Sequence, residues 1–344
     1  MVTPSQKSRL CLIPNVRGLG GMVSFREKLV NGLAERGIGV SYNLDDTPYA
    51  AILVIGGTRD LAGLWRAKRR GGRVVQRLDG MNWIHRKKKT GWRHFLRAEY
   101  GNFILSTIRS RLADQIIYQS EFSQQWWERI YGKSHIPWKV VHNGVDLGRY
   151  TPDGSTSMPV DRVRLLLVEG TFGSGYEMGL EIAIQVGERL GVVNGHKVEL
   201  MVVGRVAEQL QRELKSQTRI DLTFTGEVPG HKIPEIDRSA HVLYAADLNP
   251  ACPNAVIEAL ACGLPVAAFD TGALPEIITG GAGQVVPYGG DPWKLDPPDI
   301  EGLVKAVNII LNDQASYRKS ARSRAEQAFG LDQMVEGYLN AMNL

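Results

Sequence analysis

Short runs of β-branched and other apolar residues alternate along the chain with longer stretches in which apolar residues recur every three or four positions. The spacing predicts strands at Leu10–Ile13, Ile38–Tyr42 and Ala51–Ile55. It also predicts a turn and strand through "GGRVVQRLDG" that ends at Asp79, and strands at Gln115–Tyr118 and Lys139–His142. Helices are expected near Phe25–Arg36, at Leu61–Lys68, and from an N-capping Ser120 through Tyr131. The pattern breaks at "DLGRYTPDGSTSMPVDR", whose Pro, Gly, Ser and Asp content places a linker near Thr151–Asp161. Then it restarts, with strands at Arg164–Val168, Val198–Val203, Leu222–Thr225, Val242–Ala245 and Val266–Phe269. Helices follow at Glu177–Leu190, Glu208–Lys215, Ala255–Ala261, Ile300–Leu311 and Ala315–Phe329.

This alternation predicts an α/β protein of two parallel-sheet domains, residues 1–150 and 162–330. The amphipathic segment 331–344 is expected to pack back on the first. Open parallel sheets take their ligands at the carboxyl ends of the strands, often in a cleft between domains. The loops after the strands therefore carry the functional weight.

Composition narrows the class. With 344 residues, 43% hydrophobic and 22% charged, the chain is ordinary globular protein with room for two cores. Cys11, Cys252 and Cys262 have no paired spacing, which argues for a reducing compartment and against a disulfide framework. No C-x-x-C or H-E-x-x-H spacing calls for zinc. The first residues, "MVTPSQKSRLCLIP", hold no apolar leader, and no run of about 18 apolar residues occurs, so a cytoplasmic location is expected. The net charge of +5 fits an anionic ligand, an anionic membrane or nothing in particular.

The richest chemistry lies in "CPNAVIEALACGLPVAAFDTGALPEII". Pro253 suits a helix start and Asn254 can cap one. The free amides of that turn, Ala255 included, make an anion site with the helix dipole. Glu258 follows about one turn later, among Val256, Ile257, Ala259 and Leu260, in reach of sugar hydroxyls beside a phosphate. From periodicity alone it reads as well as a surface residue of an amphipathic helix. Gly263 and Pro265 end the helix, and Pro275 and Glu276 open another.

That stretch resembles the C-terminal signature of retaining glycosyltransferases of the GT-B fold, family 4 (glycosyl transferases group 1). "VVHNGVDLGRYTP" and "LTFTGEVPGHKIPEIDRSAHVLYAADLNP" are similar to further family segments, so the resemblance covers most of the chain. It implies two Rossmann-like domains facing a central cleft. It also implies transfer of a sugar, with retention, from a nucleotide-diphosphate donor to a saccharide, lipid-linked or other acceptor. The glutamate matching Glu258 would bind the donor ribose. No metal is implied, because the sheet-end loops lack D-x-D and helix N-termini can neutralise the diphosphate.

The sequence departs from the family pattern in two places. Pro250 stands where an acidic residue usually contacts the donor sugar; Asp247 and Asn249 are nearby but out of register. The usual Arg/Lys pair is missing, since no Lys or Arg occurs from Leu165 to Glu188. Gly170, Gly173 and Gly175 of "VEGTFGSGYEMG" can offer backbone amides instead, and Arg205 a displaced positive charge.

In the first half, Gly18, Gly20 and Gly21 of "RGLGGM" form a candidate acceptor or phosphate loop, with Gly20 and Gly21 as close-approach positions. A tight strand-to-helix turn explains them equally, and Val23 spoils the dinucleotide fingerprint. Asp79 in "RLDG" takes the place of the family's His and is the candidate catalytic residue, with turn capping as the alternative. The basic, aromatic stretch Arg86–Arg97 reads as a solvated face, then as a peripheral contact with anionic lipid, and last as a nucleic-acid patch; no nucleic-acid partner is expected. Trp126 and Trp127 read as helix packing. The rival functions are a non-catalytic nucleotide-sugar-binding relative, a sugar-nucleotide epimerase and a nicotinamide-dependent oxidoreductase.

Overall fold

The computed structural model describes residues 9–16, 18, 20–88, 91–172, 177–195 and 197–344. The chain divides into two compact units, Met1–Gly144 with Leu331–Leu344, and Val145–Gly330. Each is built on a six-stranded, wholly parallel sheet.

In the first unit the strands are β1 (Arg9–Ile13), β2 (Gly39–Ser41), β3 (Ala51–Ile55), β4 (Val74–Leu78), β5 (Gln115–Tyr118) and β6 (Trp138–Val140), in spatial order β2-β1-β3-β4-β5-β6. β3, β4 and β5 are buried along their whole length, as strands covered on both faces must be. The two-residue period sorts their side chains: Leu10, Leu12, Leu53 and Ile55 fill one core, and Cys11, Ile13, Ile52 and Val54 the other. Helices α1 (Gly21–Glu35) and α12 (Leu331–Met342) cover the first face. Phe25 and Tyr338 rings meet at 5.0 Å, and Val335 packs so closely on Gly32 that a Cβ there would lie 2.5 Å from its Cγ2. Arg36 clamps the pair from outside, to Asp332 at 2.8 Å and Glu336 at 2.9 Å. The other face takes α2 (Leu61–Arg69), α3 (Trp92–Thr107) and a π turn at Ile108–Leu112. α4 (Glu121–Tyr131) follows β5, capped by Ser120, whose hydroxyl accepts from the Ser123 amide at 3.0 Å.

In the second unit the strands are β7 (Val163–Phe172), β8 (Val198–Val206), β9 (Asp221–Gly226), β10 (Val242–Ala245), β11 (Val266–Phe269) and β12 (Gly283–Val286), in order β12-β11-β10-β7-β8-β9. α5 (Met178–Asn194) and α10 (Ile300–Asn312) bury Leu180, Ala183, Leu303 and Val307 on one face. On the other, α8 (Asn254–Ala261) packs on α11 (Gln314–Ala328), where Arg322 donates to the Ala261 carbonyl at 2.8 Å. α6 (Glu208–Gln217), α7 (Ile233–Arg238) and the four-residue α9 (Leu274–Ile277) complete the unit. The three cysteines are buried and form no disulfide.

Several elements differ from the sequence expectation. α3, α7 and β12 are additional, and α1 begins at Gly21 instead of near Phe25. β7 runs on to Phe172 and β8 to Val206, so Gly170 and Arg205 belong to strands and not to loops. The cause is an irregularity in pairing, described next.

Candidate functional site

Strand order locates the site in the second unit. From β7 the chain proceeds through β8 and β9 to one side, then returns through β10, β11 and β12 on the other. The gap beyond the carboxyl ends of β7 and β10 is thus the topological switch point, where loops leave in opposite directions. A shallow hollow, open to solvent, lies there. Val168 and Glu169 from β7, Tyr244 to Asp247 from β10 and its loop, Pro250, and the start of α8 form its wall.

Glu169 owes its position to a register shift in the β7–β8 ladder between Val168 and Thr171. Such a bulge re-aims one side chain and bends the strand. The opposing residue is Gly204, with φ +132°, where a Cβ would sit 1.9 Å from the Glu169 carbonyl oxygen. Only glycine fits. Glu169 and Asp247 then share one pocket. Burial, and next the Asp247 charge, push the Glu169 carboxyl up to about 8. Partial burial of its carboxyl raises Asp247 to about 6, although the residue as a whole is exposed, so solvent screening offsets part of the rise; a bond from the Leu248 amide opposes it. Both carboxyls therefore hold their protons to higher pH than ordinary carboxylates do.

Pro253 and Ala255 reach the same wall. Pro253, and not Asn254, is the N-cap of α8; Asn254 is the first helical residue, and no side chain caps the turn. Proline fixes the entry angle and leaves the first amides of an eight-residue helix uncapped. Glu258 lies one turn farther along, half-buried and outside the pocket lining. Its charge helps to raise the buried Asp237 carboxyl and the Tyr150 hydroxyl, after burial itself.

Pro250 ties two loops together. Its carbonyl accepts from the Ala273 amide at 2.8 Å, and its ring presses on Gly272, where a Cβ would lie 2.4 Å away. Asn249 beside it has φ 57° and is buried, as is Thr271. Asn249 Nδ2 and Thr271 Oγ1 have no hydrogen-bond partner among the described residues.

The other expected residues are distributed around this pocket. Gly170 is exposed in the bulge with open space over it; Gly173 and Gly175 lie outside the described residues. Arg205 sits on β8 opposite Thr171, exposed, and its Nη2 donates to both carboxylate oxygens of Glu227, at 2.8 and 2.9 Å. Its charge is therefore already shared with a carboxylate. Among the described residues no group of three or more His, Cys, Asp or Glu side chains is arranged to hold a metal.

In the first unit the switch point falls between β1 and β3. The glycine loop leaves β1 there. Gly18 (φ +102°) and Gly20 (φ +121°), the latter the N-cap of α1, are required by backbone conformation: a Cβ on either would meet nothing within 4 Å. No protein atom crowds them. Gly21 is the first residue of α1 and exposed. Arg26 anchors the loop by donating to the Val16 carbonyl at 2.6 Å and Asn15 Oδ1 at 3.0 Å.

Asp79 follows β4 directly and is half-buried. Its backbone carbonyl accepts from Trp127 Nε1 at 2.7 Å and Ser123 Oγ at 3.0 Å. Trp126 abuts Gly80, so the tandem tryptophans hold the "LDG" turn in place. The carboxyl accepts a bond from its own backbone amide. Burial raises its pKa, and Arg77 opposes the rise. Sequence reading passed over Arg77: it is buried in β4, stacked 3.9 Å from the Phe25 centroid, and donates to Asn143 Oδ1 at 3.1 Å. A charged residue inside a run that is otherwise strand-like was the available signal.

Residues 164–313 match the family described as glycosyl transferases group 1. The phosphatidyl-myo-inositol mannosyltransferase of Mycolicibacterium smegmatis is 26% identical over 213 residues, which is 60% of this chain and 52% of that protein. The chain spans between 23% and 52% of the length of the curated relatives it matches. Its fold is that of the sucrose-phosphate synthase of Thermosynechococcus elongatus, with TM-score 0.72, 16% identity and 98% of both chains covered. It is also that of the Anabaena protein HepE in complex with UDP-glucose, with TM-score 0.68, 16% identity, and 97% and 99% covered.

Proposed function

From a chain that carries a group 1 glycosyl transferase domain on the GT-B fold, we propose that the protein moves a hexosyl group, with retention, from a nucleoside-diphosphate sugar to a saccharide or lipid-linked acceptor. One observation carries this reading. The uncapped amides of α8 and a carboxyl pair face a single pocket at the switch point of the second sheet. The amides of Asn254, Ala255 and Val256 take the diphosphate, assisted by Gly170, Gly173 and Gly175 and by the more distant Arg205. Glu258 takes the ribose hydroxyls. Glu169 and Asp247, both of which keep their protons longer than ordinary carboxyls, can donate to or accept from sugar hydroxyls, and so replace the carboxylate that Pro250 lacks. On the first unit, Gly18, Gly20 and Gly21 leave room for the acceptor side, and Asp79 orients hydroxyls there. The reading agrees with the mannosyltransferase name of one relative and the UDP-glucose bound to a structural neighbour. The reaction is placed on the cytoplasmic side.

The test is product analysis. The protein is incubated with UDP-, GDP- and ADP-hexoses and a panel of saccharide and polyprenyl-phosphate acceptors, and the new linkage is read by NMR. Transfer with the anomeric configuration of the donor is expected; an inverted product would contradict the retaining assignment. A binding-only role is the second reading, favoured by the pocket wall of carboxyls and the absence of Lys or Arg from Leu165 to Glu188. Nucleotide binding without any transfer or donor hydrolysis would select it.

A further inference from the structure

Helix α3 is held firmly on one side only. Ala98, Asn102 and Ile104 are buried, and Asn102 bonds the Asn82 backbone twice, at 2.9 and 3.1 Å. The opposite side shows large apolar residues to solvent: Trp92 is 70% exposed, Leu96 58%, Tyr100 50% and Phe103 59%. At 3.6 residues per turn these four fall within an arc of roughly 80° and extend about 16 Å along the helix. Exposed apolar residues elsewhere, such as Ile309 and Val192, are scattered, as is usual on a soluble surface. A continuous stripe marks a surface that binds something.

Charge identifies the occupant. Between Ile84 and Thr107 the sequence has six Lys and Arg and one acidic residue, Glu99. That excess of five equals the net charge of the whole chain. Glu99 is taken up by Arg86 at 2.5 and 2.7 Å and by His85 at 2.7 Å. Lys87, Arg93 and Arg97 are exposed beside the stripe, with Arg93 over the Trp92 ring at 5.4 Å. A second copy presenting the same positive face would repel it. A convex helix with a Trp/Tyr/Phe/Leu crest and basic shoulders matches a planar layer of anionic headgroups over acyl chains. We propose that α3 is a membrane-docking helix: the Trp92–Phe103 stripe enters the interface of an anionic bilayer, lying in its plane, while Lys87, Arg93 and Arg97 bind the headgroups. Among the described residues no helix is long and apolar enough to cross a membrane. The proposal stands apart from glycosyl transfer and holds or fails without it.

The experiment is co-sedimentation of the full chain with sonicated vesicles, either phosphatidylcholine alone or phosphatidylcholine with phosphatidylglycerol. Binding to the anionic vesicles at low salt is expected, weakened at least tenfold by about 0.5 M salt, where the screening length is only a few ångströms. Leu96→Glu with Phe103→Glu, and separately Arg93→Glu with Arg97→Glu, are each expected to lower binding at least tenfold with an unchanged melting curve. The milder Leu96→Ser serves if the first pair fails to fold, and Ile309→Glu is expected to bind as the parent does. Parent-like binding by both stripe variants would overturn the proposal. So would equal binding to neutral and anionic vesicles, or a parent dimer in solution that Leu96→Glu makes monomeric.

Discussion

The two sheets of this chain share a design and differ in what fills their switch points. In the first unit, Gly18 and Gly20 adopt positive φ with empty space above them, and the loop is tied down from the side by Arg26. In the second, Gly204 also has positive φ, but the Glu169 backbone occupies the place of its Cβ, and the result is a carboxyl pair in a pocket. One glycine set keeps a space open; the other permits a strand to bulge. A glycine in a parallel α/β unit therefore carries different information depending on what lies over it. The acids differ as well. Asp79 stands near the buried Arg77 cation, whereas the charge nearest Glu169 is another carboxylate.

Substitution at the two kinds of glycine should break this contrast most sharply. Gly204→Ala combines strained φ with a backbone collision and should cost more than about 3 kcal/mol, read as a large fall in melting temperature. Gly20→Ala meets only the conformational penalty, about 1 kcal/mol. Equal costs would remove the distinction.

The next largest effect is expected at Asp79. Asp79→Asn keeps the shape and removes the charge, and turnover should fall about 100-fold with nucleotide affinity within about twofold of the parent. An enzyme retaining full turnover would show that the charge has no part in the reaction.

The carboxyl pair predicts a pH effect of about tenfold. Below about 6 both groups are neutral, and above about 8 both are charged. Nucleoside-diphosphate affinity should decline as pH rises through that window, because like charges accumulate beside the diphosphate. Glu169→Gln should flatten the profile. Stability has the same sign: the folded-state pKa is raised, so the contribution of Glu169 is fully present below its unfolded pKa, near 4.3, and is lost as pH rises to about 8. The Gln variant should accordingly gain melting temperature over the parent more at pH 8 than at pH 5. The smallest change should follow Arg205→Ala. That guanidinium is exposed and already paired with Glu227, and donor affinity should change by less than about threefold, measured by the same titration.

The alternation of strands and helices was readable because parallel strands are short, continuous and apolar, and "AILVI" and "QIIY" begin and end as expected. α3 was less legible. Its apolar residues face outward and its buried face is made of Ala98, Asn102 and Ile104, so the apolar period does not describe packing. Likewise, "VEGTFG" suggests that a strand stops at Val168, since its glycines look like loop. Only the pairing of Thr171 and Phe172 with Arg205 and Val206, distant in sequence, shows that β7 continues past a bulge over Gly204 that brings Glu169 to the pocket. Asp247 looked out of register because register was counted along the chain, while the pocket is assembled across strands. Pro253 and Glu258 were legible as a helix start and the turn after it. Asn254 was misplaced by one position, because the proline itself serves as the cap.

The central claim is that the α8 end of the second unit holds a nucleoside diphosphate, with Glu258 on the ribose. Calorimetric titration with UDP, GDP, ADP and NAD, on the parent and on Glu258→Ala, tests it most directly. The account predicts tight binding of one nucleoside diphosphate, no comparable binding of NAD, and a loss of at least tenfold in the variant, equivalent to about 1.4 kcal/mol or more. Equal affinity in parent and variant, or no nucleoside-diphosphate binding by the parent, would contradict it.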